Sequence, residues 1–533
     1  MSHTQYAADD CEGAGPALPR LAQVIRPELL EVLARRALTE DAARPEAVAR
    51  HHARGGTTAR EKVAALVDEG SFVEYGRFVT AAQSDRRERD DLLDRTVADG
   101  IVGGLATIDG HQVAVLSYDY LVMAGTQGMR GHRKTDRLLD VVERLRLPTV
   151  FFAAGGGGRP GDTDIPLVSA LDVTTFAAWA RLSGKVARIA VVDDNCFAGN
   201  AVVAGCADLV VATPRSSLGM GGPAMIAGGG LGDVAAADVG PLDVMTANGC
   251  VDVAVDETDA VDAARALIGY FLGRHDDWTA ADQTTLRDAV PEGERTSYDV
   301  EAVVETLADD DSVTVLRPAF APELVTALGR VEGRTVGFVA NDTRHVAGAI
   351  TADAGDKAAR FLQLCDAFGF PVVSLVDTPG MMVGPDAERT GLVRHTSRVL
   401  VAGARLSVPL VGVVLRRGYG LGAQAMLGGS THEPLLTIAW PGAHLGAMGL
   451  EGAVRLSTRR ELEAIADDEE RERTVRELTA YAQAHSTALE VARVFEIDDV
   501  VDPAETRGLI ARVVDAADRD GRLRGSGLPV DTW

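Results

Sequence analysis

Residues 188–213 read RIAVVDDNCFAGNAVVAGCADLVVAT, and residues 410–429 read LVGVVLRRGYGLGAQAMLGG. In each, a run of apolar, largely β-branched residues predicts a buried strand, then a turn of small residues, then a helix. The two stretches are copies. At an offset of 222, Val191-Val192 pairs with Val413-Val414 and Ala201 with Ala423. Further upstream the offset is 223: Gly110 pairs with Gly333, Asp119 with Asp342, Ala124-Gly125 with Ala347-Gly348, Lys134 with Lys357, and Pro148 with Pro371. Segments 103–224 and 326–446 are therefore one α/β unit used twice. A period this long marks a duplicated domain, because solenoid repeats run to roughly 20–50 residues. Two related units offer two related sites, which suits transfer of a group between two substrates.

Outward from the turns, each copy shows the same order. IVGGLATIDGHQVAVLSYD (101–119) predicts two strands around an Asp109-Gly110 turn, and HRKTDRLLDVVERLRL (132–147) a helix that stops before Pro148. TVFFAA (149–154) is a strand running into Gly155–Gly158, and a helix is expected near 168–182. The second copy repeats this with TALGRVEGRTVGFVAND (326–342), the helix DKAARFLQLCDAFG (356–369), the strand VVSLVD (372–377), and helices near 386–405 and 418–428. Apolar strands alternating with helices predict parallel sheets covered on their faces. Residues 1–20 are expected to be a mobile tail. Residues 28–67 read mostly helical, with a capping-box pattern at TTAREKVAALV (57–67). The organisation predicted is an N-terminal domain over 21–270, a charged linker over 271–318, and a C-terminal domain over 319–533 that is mostly charged helix from 455 to 525.

The 533 residues are 46% hydrophobic, enough for two cores, and carry a net charge of −25. Acids outnumber bases, which excludes a phosphate-backbone partner. The five Cys (11, 196, 206, 250, 365) are scattered without a C-x-x-C, and the eleven His show no ligand spacing, so neither a disulfide framework nor a metal site is expected. With no basic and apolar leader and no apolar run of ~18 residues, the chain reads as soluble and cytoplasmic. Only four of the 53 basic residues are Lys (62, 134, 185, 357), and none lies in an A-M-K-M-like turn, so the chain is not expected to carry biotin itself. No G-x-x-x-x-G-K-[ST] exists, which excludes a phosphate loop for ATP.

The turn Asn195–Ala201 and its copy Gly418–Ala423 bring consecutive backbone N–H groups to a helix N-terminus. Small residues there serve either close strand–helix packing or an oxyanion hole, and recurrence in both copies favours the second. Gly155–Gly158 with Arg159 reads as a loop whose backbone approaches a ligand. Pro160 rules out a dinucleotide fingerprint there. Asp377-Thr378-Pro379-Gly380 holds the same place in the second copy. The glycine-dense stretch 217–230, including Gly221 and Gly222, should be an irregular wall of the first site, with His444–Gly449 as its counterpart. Neither turn helix carries an acid, and no Ser–His–acid set accompanies them. Donor holes without a protein base imply that a second reactant supplies the base.

At these residues the chain resembles the carboxyltransferase (β) subunit of biotin-dependent acyl-CoA carboxylases of the acetyl-, propionyl- and methylcrotonyl-CoA type, in the crotonase superfamily. HARGGTTAREKVAALVDEGSF (52–72), residues 188–213, DTPGMMVG (377–384) and RRGYGLGAQAMLGG (416–429) carry the resemblance, which spans about 50–525. It implies two tandem crotonase-like domains, each a ββα superhelix, an acyl-CoA thioester on the first and carboxybiotin on the second. The biotin would come from a separate biotin carboxylase or carboxyl carrier subunit, and the chain would assemble as a homo-oligomer, commonly a trimer of dimers. It maps the enolate hole to Gly199 and Asn200 and the biotin hole to Leu421 and Gly422. Around the acyl-CoA it places Gly156, Gly157, Gly158, Arg159, Ala198, Gly221, Gly222 and Gln424; around biotin, Tyr419, Gly420, Thr378, Pro379 and Gly380. Gln424 is expected at the acyl end of the substrate. The sequence departs from the family at Asn200, Leu421 and the 153–159 loop, so the acyl group is not inherited. A decarboxylase running the same chemistry backwards and a biotin-independent crotonase-like protein remain as alternatives.

Overall fold

The computed structural model describes residues 26–165, 169, 171–518 and 524–533; the expected tail at 1–20 lies outside them. The first copy forms strands β1 (Val73–Glu74), β2 (Ile101–Ile108), β3 (His111–Tyr118), β4 (Thr149–Phe152), β5 (Arg188–Val192), β6 (Asn195–Phe197), β7 (Leu209–Ala212), β8 (Ser217–Gly219) and β9 (Val253–Ala254). The second forms β10 (Thr314–Leu316), β11 (Leu324–Val331), β12 (Arg334–Asn341), β13 (Val372–Thr378), β14 (Leu410–Tyr419), β15 (Leu436–Ala439), β16 (His444–Gly446) and β17 (Asp499–Val500).

The two main sheets have the same order, β1-β2-β3-β4-β5-β7-β9 and β10-β11-β12-β13-β14-β15-β17. In each, the first three strands are antiparallel and the rest parallel. The hairpins turn on Asp109-Gly110 and Glu332-Gly333, all four residues at positive φ, as a two-residue connection between twisted strands requires. A small second layer pairs β6 with β8 in the first copy. In the second copy the single long strand β14 bends across to pair its last residues, Arg417–Tyr419, with β16.

Thr58 and Glu61 close the expected capping box on the helix Ala59–Leu66: the Glu61 N–H donates to Thr58 Oγ1 at 3.1 Å, and the Thr58 N–H to Glu61 Oε2 at 2.8 Å. The helix read over 132–147 runs Met129–Leu145, and that expected near 386–405 runs Leu392–Gly403. The segment near 168–182 is helical over Thr175–Ala180. The interval 271–318 is built into the second unit. It contributes the helix Val300–Leu307 and strand β10, and its Leu286, Val300, Val303, Val304 and Leu307 are buried with residues of β11 to β15. Its charged composition reflects the outer face of that layer. One continuous core also joins the two copies, running from Ala59 and Val63 through Ile189 and Val211 to Leu324, Val339 and Phe361.

Three of the four lysines are buried. Lys62 pairs with Asp193 at 2.6 Å. Lys134 and Lys357, at equivalent positions, each donate to backbone carbonyls: Lys134 to those of Ala98 and Ile101, Lys357 to those of Arg317 and Phe320 at 2.9 and 2.8 Å. Burial pushes the Lys134 ammonium down to about 8 and that of Lys357 down to about 7. A compact ammonium with three donors fits a cluster of carbonyls that a planar guanidinium would not. Among the described residues no helix is long and apolar enough to cross a membrane, and no group of three His, Cys, Asp or Glu could hold a metal.

Candidate functional site

The chain leaves β6 through Ala198, at φ 50° and ψ −120°, and enters the helix Gly199–Gly205. A non-glycine residue held in so sparsely populated a region costs roughly 1–3 kcal/mol. Here it reverses the chain so that the helix opens on free donors. The Ala198 N–H is itself bonded to Gly219 O at 3.0 Å, which ties the turn to β8. The Gly199 and Asn200 N–H groups make no hydrogen bond to the described residues. In the second copy Gly420 stands where the first has Ala198. It takes φ 60° and opens the helix Gly420–Met426. The N–H groups of Leu421 and Gly422 there are likewise without a partner among the described residues. Both turn helices lack an acid or a base.

The Gly-rich loop lies against the first turn. A β-carbon on Gly157 (φ 86°) would sit 2.8 Å from that of Ala198. Asn200 holds the loop with its side chain, a role the sequence reading missed. The buried amide accepts from the Gly157 N–H at 2.9 Å and donates to Ala153 O at 3.0 Å. Gly156 and Gly158 are exposed beside this clamp. Arg159 differs from its expected substrate-facing place. Its guanidinium is buried in an ion pair with Asp99 and donates to Thr126 O at 3.0 Å. The wall at 217–230 is more regular than its glycines suggest, with β8 followed by the helix Pro223–Gly228. Pro223 at the first helical position pre-sets φ, and the glycines fall outside the helix interior. Gly222 rests on Phe197, 3.0 Å from where its β-carbon would be, and Met220 and Met225 are exposed on the same wall.

At the second turn, Gly380 (φ 126°) is fixed by a 3.1 Å bond from its N–H to Thr378 Oγ1. Pro379 is exposed at the tip. Beneath, buried Asp377 accepts from Arg416 Nε at 3.0 Å, Arg417 Nε at 2.6 Å and the Tyr298 hydroxyl at 3.0 Å. Burial beside the Asp377 carboxylate pushes the Tyr298 phenol far up, so it stays a donor. This network fixes Asp377 as the buried anchor of the turn. Tyr419 is buried at the end of β14, and burial with the neighbouring Glu294 carboxylate pushes its phenol up. Leu421 is 63% exposed and Gln424 is exposed, so both stand on an open face of the single chain.

Two helix openings with donors unpaired among the described residues, and no acid or base on either turn helix, are suited to stabilising oxyanions. Residues 50–523 match the carboxyl transferase domain family, and the chain belongs to it. It is a carboxyltransferase of the biotin-dependent acyl-CoA carboxylase class, with the crotonase-like fold. It is 32% identical to the methylmalonyl-CoA carboxyltransferase 12S subunit of Propionibacterium freudenreichii subsp. shermanii, over 93% of this chain and 95% of that one. It is 31% identical to the propionyl-CoA carboxylase beta chain of Saccharopolyspora erythraea, over 88% and 89%. Among solved structures it is similar to a single-chain, multi-domain long-chain acyl-CoA carboxylase, with 50% identity and a TM-score of 0.87. That match covers 92% of this chain and 49% of the other, so this chain spans about half the length of that enzyme. A transcarboxylase 12S structure, described as a hexamer with methylmalonyl-CoA bound, matches with a TM-score of 0.80 at 30% identity.

Proposed function

We propose that the chain carboxylates an acyl-CoA at its α carbon, with Gly199 and Asn200 holding the thioester oxygen and Leu421 and Gly422 holding the ureido oxygen of biotin. The observation that carries this is the pair of equivalent positive-φ turns, Ala198 at φ 50° and Gly420 at φ 60°, each opening a helix whose first N–H groups are unpaired among the described residues. The residues around the second turn suit biotin. Leu421 and Gly422 offer two donors, and the exposed Leu421 leaves the turn open to a ligand from outside the chain. Carboxybiotin, carried by a separate biotin carboxylase or carrier subunit, brings the carboxyl group and the base. Donors at the first turn lower the energy of the enolate as charge moves onto its oxygen. The donors at the second favour the charge that develops on the ureido oxygen.

Carboxylation is favoured over its reverse by the likeness to a propionyl-CoA carboxylase beta chain and to a long-chain acyl-CoA carboxylase. A longer acyl chain is favoured by the 50% identity to a long-chain enzyme and by the apolar Met220–Met225 wall beside the first turn. The exposed Leu421 and Gln424 favour a homo-oligomer, at least a dimer and most simply a trimer of dimers, in which the second turn of one subunit meets the first turn of another. The workplace is the cytoplasm, where acyl-CoA and ATP-driven biotin carboxylation coexist. The test is carboxylation of acetyl-, propionyl- and long-chain acyl-CoA with a biotinylated partner. A single mixture of a Gly199→Pro and a Gly422→Ala variant should regain activity through hybrid sites. Folded variants whose mixture stays inactive would exclude the shared site.

A further inference from the structure

Gln127 lies at the first turn and belongs to no motif. Its backbone binds the Gly-rich loop on both sides, its N–H donating to Gly157 O at 2.7 Å and its carbonyl accepting from Arg159 N at 2.8 Å. Its side chain is buried and reaches back toward the helix opening. Nε2 donates to the Tyr118 hydroxyl at 2.7 Å, and Oε1 rests on Gly199, where a β-carbon on that residue would run into it. Two polar atoms are then mismatched. The Tyr118 hydroxyl accepts but donates to none of the described residues, although burial pushes its phenol up and keeps the proton on. Gln127 Oε1 has no donor among the described residues either, and it stands beside the N–H groups that face a developing negative charge.

A half-turn of the amide about its last bond lets the Tyr118 hydroxyl donate and leaves an NH2 group at Gly199 that needs an acceptor. The oxygen and the NH2 group have nearly the same shape, so the turn has no steric cost. The Tyr118 O–H then donates to Oε1, and the NH2 group faces Gly199. An anion at the helix opening selects that rotamer, because an acceptor beside an oxyanion repels it and an N–H attracts it.

We propose that the Gln127 amide, anchored by the Tyr118 hydroxyl, is a third donor to the thioester enolate at the Gly199–Asn200 turn and turns its NH2 group inward when negative charge forms there. This rests on the assignment of Gly199 and Asn200 as the thioester donors. No bond is made or broken at Gln127; it binds the charged form more tightly than the neutral one, which is how a donor raises turnover.

The experiment compares wild type, Gln127→Ala and Gln127→Glu. Glu keeps the volume and can accept from Tyr118, but it has no N–H and adds a negative charge. Binding of two acyl-CoA analogues is measured by calorimetry, one a neutral thioether and the other bearing a nitronate that mimics the enolate. Wild type should prefer the nitronate. Both variants should bind the thioether as wild type does and lose roughly 10²-fold in nitronate affinity, with Glu the worse, and kcat with a biotinylated partner should fall in parallel while KM for acyl-CoA holds. If Glu equals wild type and only Ala loses affinity, for both analogues together, Gln127 merely packs the loop and the proposal fails. If Ala does not fold, the Glu variant alone decides. A wild type with no preference for the nitronate would instead overturn the assignment of Gly199 and Asn200.

Discussion

Gly422 packs directly on Gly380: a β-carbon on Gly422 would lie 2.6 Å from the Gly380 carbonyl carbon. The contact joins the second donor turn to the loop that follows β13, and backbone on the far side cannot swing away as a side chain would. Gly422→Ala should therefore push the 378–380 turn outward, costing roughly 1–3 kcal/mol of stability and most of the carboxyltransfer activity. Chemical denaturation and partner-coupled kinetics measure the two. Wild-type stability with wild-type activity would show that the contact is not tight.

At the first turn the corresponding test separates the donor from the packing. A β-carbon on Gly199 meets the end of the Gln127 side chain, so Ala and Pro both disturb that neighbour, but only Pro removes the N–H. The first helical position tolerates Pro. Gly199→Pro should lose roughly 10²–10³ in kcat beyond Gly199→Ala, with acyl-CoA binding largely kept. Equal turnover in the two variants would remove this N–H from the reaction.

Asn200 gives a stability prediction. Its amide faces an N–H on one side and carbonyls on the other, a pattern only an amide satisfies. Asn200→Asp would set a carboxylate against the carbonyls of Ala153 and Gly125. It should cost more than Asn200→Ala, which leaves buried groups unpaired at about 1–3 kcal/mol. Urea unfolding compares them. An Asp variant as stable as wild type would mean that the loop rearranges freely.

Lys357 predicts a pH dependence. Burial lowers its folded-state value to about 7, below the ordinary lysine value near 10.4. Between those values the unfolded chain holds the proton and the folded one does not, so this group makes stability rise with pH across roughly pH 7 to 10. Lys357→Met should remove that rise, leaving a flatter profile than wild type in thermal melts. Parallel profiles would mean that the carbonyls of Arg317 and Phe320 hold the ammonium charged.

The sequence alone determined what neighbours along the chain decide: the duplication, the strand–turn–helix order in each copy, the Asp109-Gly110 hairpin, the Thr58–Glu61 cap, and the two small-residue turns that mark the family. These depend on backbone angles and on periodicity over a few residues. Tertiary structure decided what each side chain faces. Arg159 turned inward because Asp99, 60 residues earlier, lies beneath it. The Asn200 amide acquired its role from Ala153, 47 residues away. Gln127 became part of the site through Gly199, a contact that no local pattern announces. The charged interval 271–318 joined the second unit because its apolar positions, spaced for one helix and one strand, find their partners on β11 to β15. Burial and pairing are sums over residues distant in sequence, and only the folded chain brings those together.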